Sequence, residues 1–291
     1  LLGGASLDDL GLPTVEGRID LRRLAAPEPS LVRQYVAAQA HVTEMGDLVV
    51  LRGIVWTGMD FSKAQLVSLR FMDSRIEDCR FDGAKCQDWR IWGTNIVDTS
   101  FRGADLRKSA LGGIDGGKRN AFERVDFSEA DLRQTAHVSS DMTGCQFVRT
   151  KLAKVDFQGT VFTDCLFEGT LNEVLFYRHA FRGEAFPANE MNGVDLRRTK
   201  LVHVEFRGLD MNSVAWPEDA EHVVLDDYPA TLDRWLTALK ARTDLPSKQL
   251  AVILGMKRKW AGPNQHRGVV SYAELRDIGG EPVVKALLDL D

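Results

Sequence analysis

Long apolar runs are missing from this sequence. Nowhere do eighteen apolar residues follow one another, so no transmembrane helix is predicted. The opening Leu1-Leu2-Gly3-Gly4 is neither a basic segment nor the start of a sustained apolar one, which leaves a secretory signal without support. Cysteine is scarce, with 4 in 291 residues, and Cys79, Cys86, Cys145 and Cys165 have no metal-ligand spacing with each other or with histidine. They read instead as small buried hydrophobes, and reduced thiols fit a cytoplasmic protein. No sign of charge dominates: 37 Lys and Arg face 42 Asp and Glu, a net charge of −5. Between Asp47 and Trp216 the balance narrows to 24 acidic against 23 basic residues. Nucleophile elbows and phosphate-binding glycine loops are also absent, so no enzyme chemistry, metal or cofactor is expected.

What the chain has is a period of five. Leu51, Trp56, Phe61, Leu66, Phe71, Ile76, Phe81, Cys86, Ile91, Ile96, Phe101, Leu106 and Leu111 follow one another at that interval. Helices repeat near 3.6 residues and strands near 2, so neither explains the pattern. The series slips by one residue before Phe122 and runs in step to Phe167. It slips back by one before Leu171 and continues to Trp216. Two positions before each centre stands a small or short-branched residue, as at Ala64, Ser74, Cys79, Ala84, Ala104, Val155 and Val194. Two inward and three outward positions per five residues would bury the apolar set and solvate the rest.

Ala104-Asp105-Leu106-Arg107, Val125-Asp126-Phe127-Ser128, Ala130-Asp131-Leu132-Arg133, Val155-Asp156-Phe157-Gln158 and Val194-Asp195-Leu196-Arg197 carry a specific resemblance. The chain resembles the pentapeptide-repeat proteins. That likeness implies an all-β solenoid, a right-handed quadrilateral β-helix of about eight coils in which residues twenty apart stack. One expected column is Phe61, Phe81, Phe101, Phe122, Met142, Phe162, Phe181 and Leu201; a second runs Leu66, Cys86, Leu106, Phe127, Phe147, Phe167, Phe186 and Phe206. Rings piled along the axis would leave no lumen.

Three parts are expected: a lead-in and capping helix over 1–46, the β-helix over 47–216, and a small α-helical module over 217–291. Residues 1–29 read as irregular. Ser30 is the expected N-cap of an amphipathic helix reaching about Met45 and covering the end of the rod. Gly112 to Asn120 is either a one-residue bulge, the reading preferred, or a contact loop. His137 falls on an inward position as a core histidine. Around Phe176–Pro187, His179 and Glu184 occupy positions meant for small residues, and a distorted coil turning both outward is preferred to a catalytic pair. After Pro217 the pattern predicts a strand at 223–225 and helices from Thr231 to about Arg242, Ser247 to about Trp260, a capping box at Ser271 to Glu274, and Pro282 to Leu290. Lys257, Arg258 and Lys259 form a basic helix segment, and 247–256 loosely matches a helix-turn-helix, although Pro263 would cut its second helix short.

The functions follow from the resemblance and the module. Pentapeptide-repeat proteins include binders of type II topoisomerases, in which the rod mimics duplex DNA. DNA gyrase or topoisomerase IV is thus the implied partner, and Asp60, Asp82, Asp105, Asp126, Asp131, Asp156 and Asp195 are the candidate surface, unless these residues merely support turns. The alternative is a scaffold whose rod is a spacer and whose basic helical module holds a partner or nucleic acid, direct nucleic-acid contact being the less favoured form. No membrane contact is expected, and a homodimer is left open.

Overall fold

The computed structural model describes residues 11–25, 42–45, 48–179, 187–263 and 265–290. Each pentapeptide lays down one side of a square. Its centre and the residue two before it point inward, the residue before the centre joins a ladder, and the fifth residue turns the corner. Many corners take the left-handed conformation, at Lys63 (φ 61°), Gly83 (φ 64°) and Gly103 (φ 63°) among others. Outside glycine that conformation is uncommon, and here the pairing on both sides enforces it.

Successive coils pair in parallel on all four sides. On one side, Val55–Thr57, Arg75–Glu77, Asn95–Val97, Ala121–Glu123, Asp141–Thr143 and Val161–Thr163 form a six-stranded ladder. Single-residue bridges make the next two, through Asp60, Arg80, Ser100, Asp126 and Gln146, and through Gln65, Lys85, Asp105, Asp131 and Lys151. The fourth joins Arg70–Met72 to Arg90–Trp92 and then runs through Ala110, Ala136 and Asp156. The architecture is a parallel β-helix with a filled core. Phe61 and Phe81 stack at 4.9 Å and 5°, Phe81 and Phe101 at 4.8 Å and 7°, Phe127 and Phe147 at 5.2 Å, and Phe147 and Phe167 at 4.6 Å. Beneath the six-stranded ladder the inner small residues are polar. Thr94 Oγ1 receives the Ser74 N–H, and Asn120 Nδ2 donates to the carbonyls of Ile91 and Leu111, so the buried backbone is satisfied. All four cysteines are free and buried.

Several expectations need correction. Gly112 to Asn120 is no one-residue bulge: the next coil is reached 26 residues on, where Ile96 pairs with Phe122 and Ser100 with Asp126. The six extra residues stand out as a hairpin, Ile114–Asp115 against Lys118–Arg119. It folds back along the rod, with Asp115 on Arg52 at 3.0 Å and Lys118 on Asp73 at 2.5 Å, while Arg119 reaches the Ser140 carbonyl at 2.6 Å. Gly112 lies so near its neighbour that a Cβ there would sit 2.0 Å from the Val138 nitrogen. A second insertion follows Tyr177, because Phe176 pairs with Phe206 and Thr163 with Asn192. The expected columns therefore change sides twice. Phe101 continues to Phe127, Leu106 to Leu132, and Phe162 to Met191, not to Phe122, Phe127 and Phe181. Phe181, Glu184 and Phe186 lie outside the described residues.

The N-terminal expectations change too. The described end of the predicted capping helix, Val42–Met45, is a strand antiparallel to Leu48–Arg52; the rest of that helix, 30–41, lies outside the described residues. The supposedly irregular lead-in contains a hairpin, Thr14–Val15 with Arg18–Asp20, whose second strand pairs with Met59–Asp60. Leu21 is buried there as part of the same core as Phe61.

His137 fills its column beneath Phe157, with ring centroids 4.8 Å apart, and is fully enclosed. Its Nε2–H meets the Thr135 hydroxyl oxygen at 3.2 Å, since that hydroxyl donates to the Leu132 carbonyl. Burial drives the imidazole from 6.5 down to about 3. The unfolded chain takes this proton first, so the contribution is complete above pH 6.5 and is lost as pH falls toward 3. We expect about 1.4 kcal/mol of stability to disappear per pH unit in that window. In His137→Leu, urea unfolding followed from pH 7 to 4 should lack that slope.

After the last coil, the strand His222–Leu225 pairs antiparallel with Gly268–Ser271. Four helices surround this pair: α1 (Tyr228–Leu239), α2 (Leu245–Trp260), α3 (Tyr272–Gly279) and α4 (Glu281–Leu288). Leu232, Trp235, Leu250, Leu254, Leu275 and Leu287 form a second core. The helix-turn-helix expectation fails, because α2 runs unbroken through Gly255. Ser271 does not close a capping box either; its hydroxyl donates to the Leu201 carbonyl at 2.6 Å and ties α3 to the rod.

Candidate functional site

The side built on Trp56, Ile76, Ile96, Phe122, Met142 and Phe162, continued by Met191 and Met211, differs from the others in charge. Its pentapeptides carry eight carboxylates, on Glu77, Asp78, Asp98, Glu123, Asp141, Asp164, Glu190 and Asp210, against Arg75 and Arg124, a balance of −6. By the same count the side through Phe61, Phe81 and Phe101 is within one charge of neutral, and the remaining two are net positive. Three arginines from flanking segments reach the acidic side. Arg18 binds Asp78, Arg119 lies 2.9 Å from Asp141, and Arg178 lies 2.7 Å from Glu190. Arg124, on the side itself, holds Asp98 at 2.6 Å and keeps its carboxyl below the ordinary range. Burial pushes Asp141 up in spite of Arg119. Asp98, Glu123 and Asp164 remain exposed to solvent.

None of the seven aspartates singled out by sequence lies on this side. Asp60, Asp105, Asp126, Asp131 and Asp195 each accept the N–H two residues on, at 2.8 to 3.2 Å, and so brace a turn. Three of them also hold the arginine of that turn at 2.6 Å, namely Asp105 with Arg107, Asp131 with Arg133 and Asp195 with Arg197. Asp82 accepts from Ser100 and from the Arg102 N–H of the next coil. Burial raises the Asp156 carboxyl above its ordinary value. They are spread over three sides of the square, so the structure does not bring them together.

This geometry agrees with a comparison of families: the profile described as pentapeptide repeats (8 copies) matches residues 126–169. Residues 126–169 are thus pentapeptide repeats. Among solved structures it is similar to trypsin-treated QnrB1, a plasmid-mediated fluoroquinolone resistance protein, with 15% identity over 57% of this chain and 78% of that one and a TM-score of 0.31. It is also similar to HetL of the cyanobacterium Nostoc, a pentapeptide-repeat protein involved in heterocyst differentiation regulation, at 14% identity, 63% and 81% coverage and a TM-score of 0.25. Rfr23 of the cyanobacterium Cyanothece is 12% identical, with 57% and 87% coverage and a TM-score of 0.20. No curated protein sequence matches.

The C-terminal helices that follow these repeats reorder the predicted basic segment. Lys257 is turned inward, with Nζ 2.9 Å from Glu274 Oε2 and both side chains nearly buried. Arg258 is paired with Asp233 at 2.9 Å, and Lys259 alone of the three is exposed. The three do not form one basic face. His179 is half-buried, and its proposed companion Glu184 lies outside the described residues. Among the described residues no group of three His, Cys, Asp or Glu side chains could hold a metal ion. No described helix is long and apolar enough to cross a membrane.

A feature without any sequence signal is a cavity of about 290 Å³ where the last coil meets the helices. Its walls come from segments as far apart as Val204 and Ile278, which no periodicity could join. Trp260 in its wall is held to the last coil, with Arg207 lying 3.9 Å over the Trp260 ring and the Gly208 N–H donating to the Trp260 carbonyl at 3.0 Å.

Proposed function

We propose that this protein is a non-enzymatic binding protein of the cytoplasm. In this reading it is a right-handed rod of about eight coils over 47–216, with a helical module over 217–291 covering its C-terminal end. The acidic side docks on a basic, DNA-handling protein surface. The observation that carries this reading is the gathering of eight carboxylates on one of four sides of a near-neutral rod. Charges aligned on one side of a rod set orientation and speed of encounter, as DNA phosphates do for proteins that bind DNA. The repeat family makes DNA gyrase or topoisomerase IV the partner to test.

The experiment is gyrase supercoiling, with and without a fluoroquinolone, in the presence of the purified protein. The expected result is inhibition or drug protection that falls at least about tenfold, the loss of roughly 1.4 kcal/mol, in the triple variant Asp98→Lys, Glu123→Lys, Asp164→Lys. Lysine is tolerated at the corners of Asp98 and Asp164, as Lys63, Lys108 and Lys154 hold the left-handed conformation elsewhere, and Glu123 ends the strand Ala121–Glu123 with its side chain exposed. Reversal of Glu129, Glu173 and Glu218, which are exposed on other sides, should leave the effect in place. An unchanged supercoiling reaction, with or without drug, would remove the topoisomerase reading.

A second reading is supported by the exposed apolar residues Val252, Met256 and Ile278 on the module. There the rod is a spacer and the module holds the partner. Capture of a partner that requires 217–291 and survives the triple reversal would favour it.

A further inference from the structure

The cavity at the junction is built for more than packing. Val204 and Phe206 of the last coil face Val252, Met256, Val269 and Ile278 across it. Val252, Met256 and Ile278 are 68%, 50% and 43% exposed, so the cavity has an open apolar rim. Its inner end is polar. Tyr228 is 5% exposed and lines the cavity together with Gln265. Gln265 is 2% exposed and its side-chain oxygen is buried without a partner among the described residues. An unmet group of this kind is costly, and a ligand that meets it recovers the cost. Burial also pushes the Tyr228 phenol above its ordinary value, so at neutral pH it is a donor. The charges nearby cancel, Glu274 being paired with Lys257 and Glu205 with Arg207.

We propose that this cavity binds a small uncharged molecule with an apolar body and an amide-like head, whose carbonyl accepts from the Tyr228 hydroxyl and whose N–H donates to Gln265. The apolar body lies along Val252, Met256 and Ile278. A charged head is disfavoured, because it would be desolvated beside ion pairs that are already complete. The volume lies at the lower end of ordinary ligand pockets, roughly 300–1,000 Å³. This site is separate from the acidic side, so its failure would leave the docking proposal standing, and the reverse.

The test uses the full chain and acetanilide as the probe, with phenylacetate and benzylammonium as charged counterparts, in a saturation-transfer NMR titration. Acetanilide should bind one saturable site, with both ions at least about tenfold weaker, equivalent to roughly 1.4 kcal/mol. Tyr228→Phe should weaken acetanilide about two- to tenfold, as expected for one hydrogen bond. Ile278→Trp, which fills the rim from an exposed position, should abolish binding with the circular dichroism unchanged; Met256→Trp is the second such variant. The proposal is overturned if acetanilide fails to saturate at millimolar concentration, if the ions bind equally well, or if both rim variants bind like the parent.

Discussion

Phe147→Ala should lower the stability of the rod by about 3–5 kcal/mol, the usual cost of emptying a well-packed phenylalanine site. Phe147 is 1% exposed and stacks between Phe127 at 5.2 Å and Phe167 at 4.6 Å. Phe157 and Phe162 meet its edge at 6.4 and 6.5 Å. Relaxation into the hole is hindered because the backbone of every coil is fixed by parallel pairing above and below. In a solenoid each coil leans only on its neighbours, so the loss also weakens the link between the two halves. Urea unfolding should show an earlier and broader transition. Phe147→Leu should recover about half of the loss, and Val67→Ala, at a site 44% exposed, should cost less than about 0.5 kcal/mol. A loss below about 1 kcal/mol for Phe147→Ala would show that the stacked rings are not what holds the coils together.

The same column shows how far sequence could lead. That Phe61, Phe81 and Phe101 share a side was legible, because nothing interrupts the period between them and their rings do stack. Beyond Leu111 the side of each residue was not legible, for an arithmetical reason. A five-residue period registers an insertion only by its remainder, so six extra residues at the Ile114–Arg119 hairpin look like one. The ten that separate Leu171 from Leu201, beyond the usual twenty, leave no trace at all. Which residues face inward survives this ambiguity; which side they occupy does not. For that reason Asp141, Glu190 and Asp210 could not be assigned to one side from sequence, and five of the seven aspartates singled out instead brace turns. Burial of Lys257 was hidden for another reason. Its partner Glu274 stands seventeen residues away on a different helix, and a run of three cations reads as a solvated face until α3 is packed against it.

That buried pair yields the other large effect. Lys257 and Glu274 meet at 2.9 Å with 11% and 12% of their side chains exposed, between α2 and α3 beside the junction cavity. Burial alone would pull the Lys257 ammonium down, but Glu274 outweighs it and holds the group above 10.5. A base so raised gives its full contribution below pH 10.5 and loses it as pH rises through the folded value, so the pair is intact at every physiological pH. Glu274→Gln leaves the ammonium buried without its counter-charge and should cost about 3–5 kcal/mol in denaturant unfolding read by the helical circular dichroism. The double variant Lys257→Met, Glu274→Leu removes both charges at similar volume. It should return to within about 1 kcal/mol of the parent, since the attraction in such a pair mainly offsets the desolvation of its members. Should the single variant prove as stable as the parent, water must reach the pair, and the helices would not be closed over the rod as tightly as the 2.8 Å bond from the Tyr272 N–H to the Glu221 carbonyl implies. If instead the double variant stays as unstable as the single one, the two side chains matter for their shape, and the ion pair is incidental to how the helices seal the last coil.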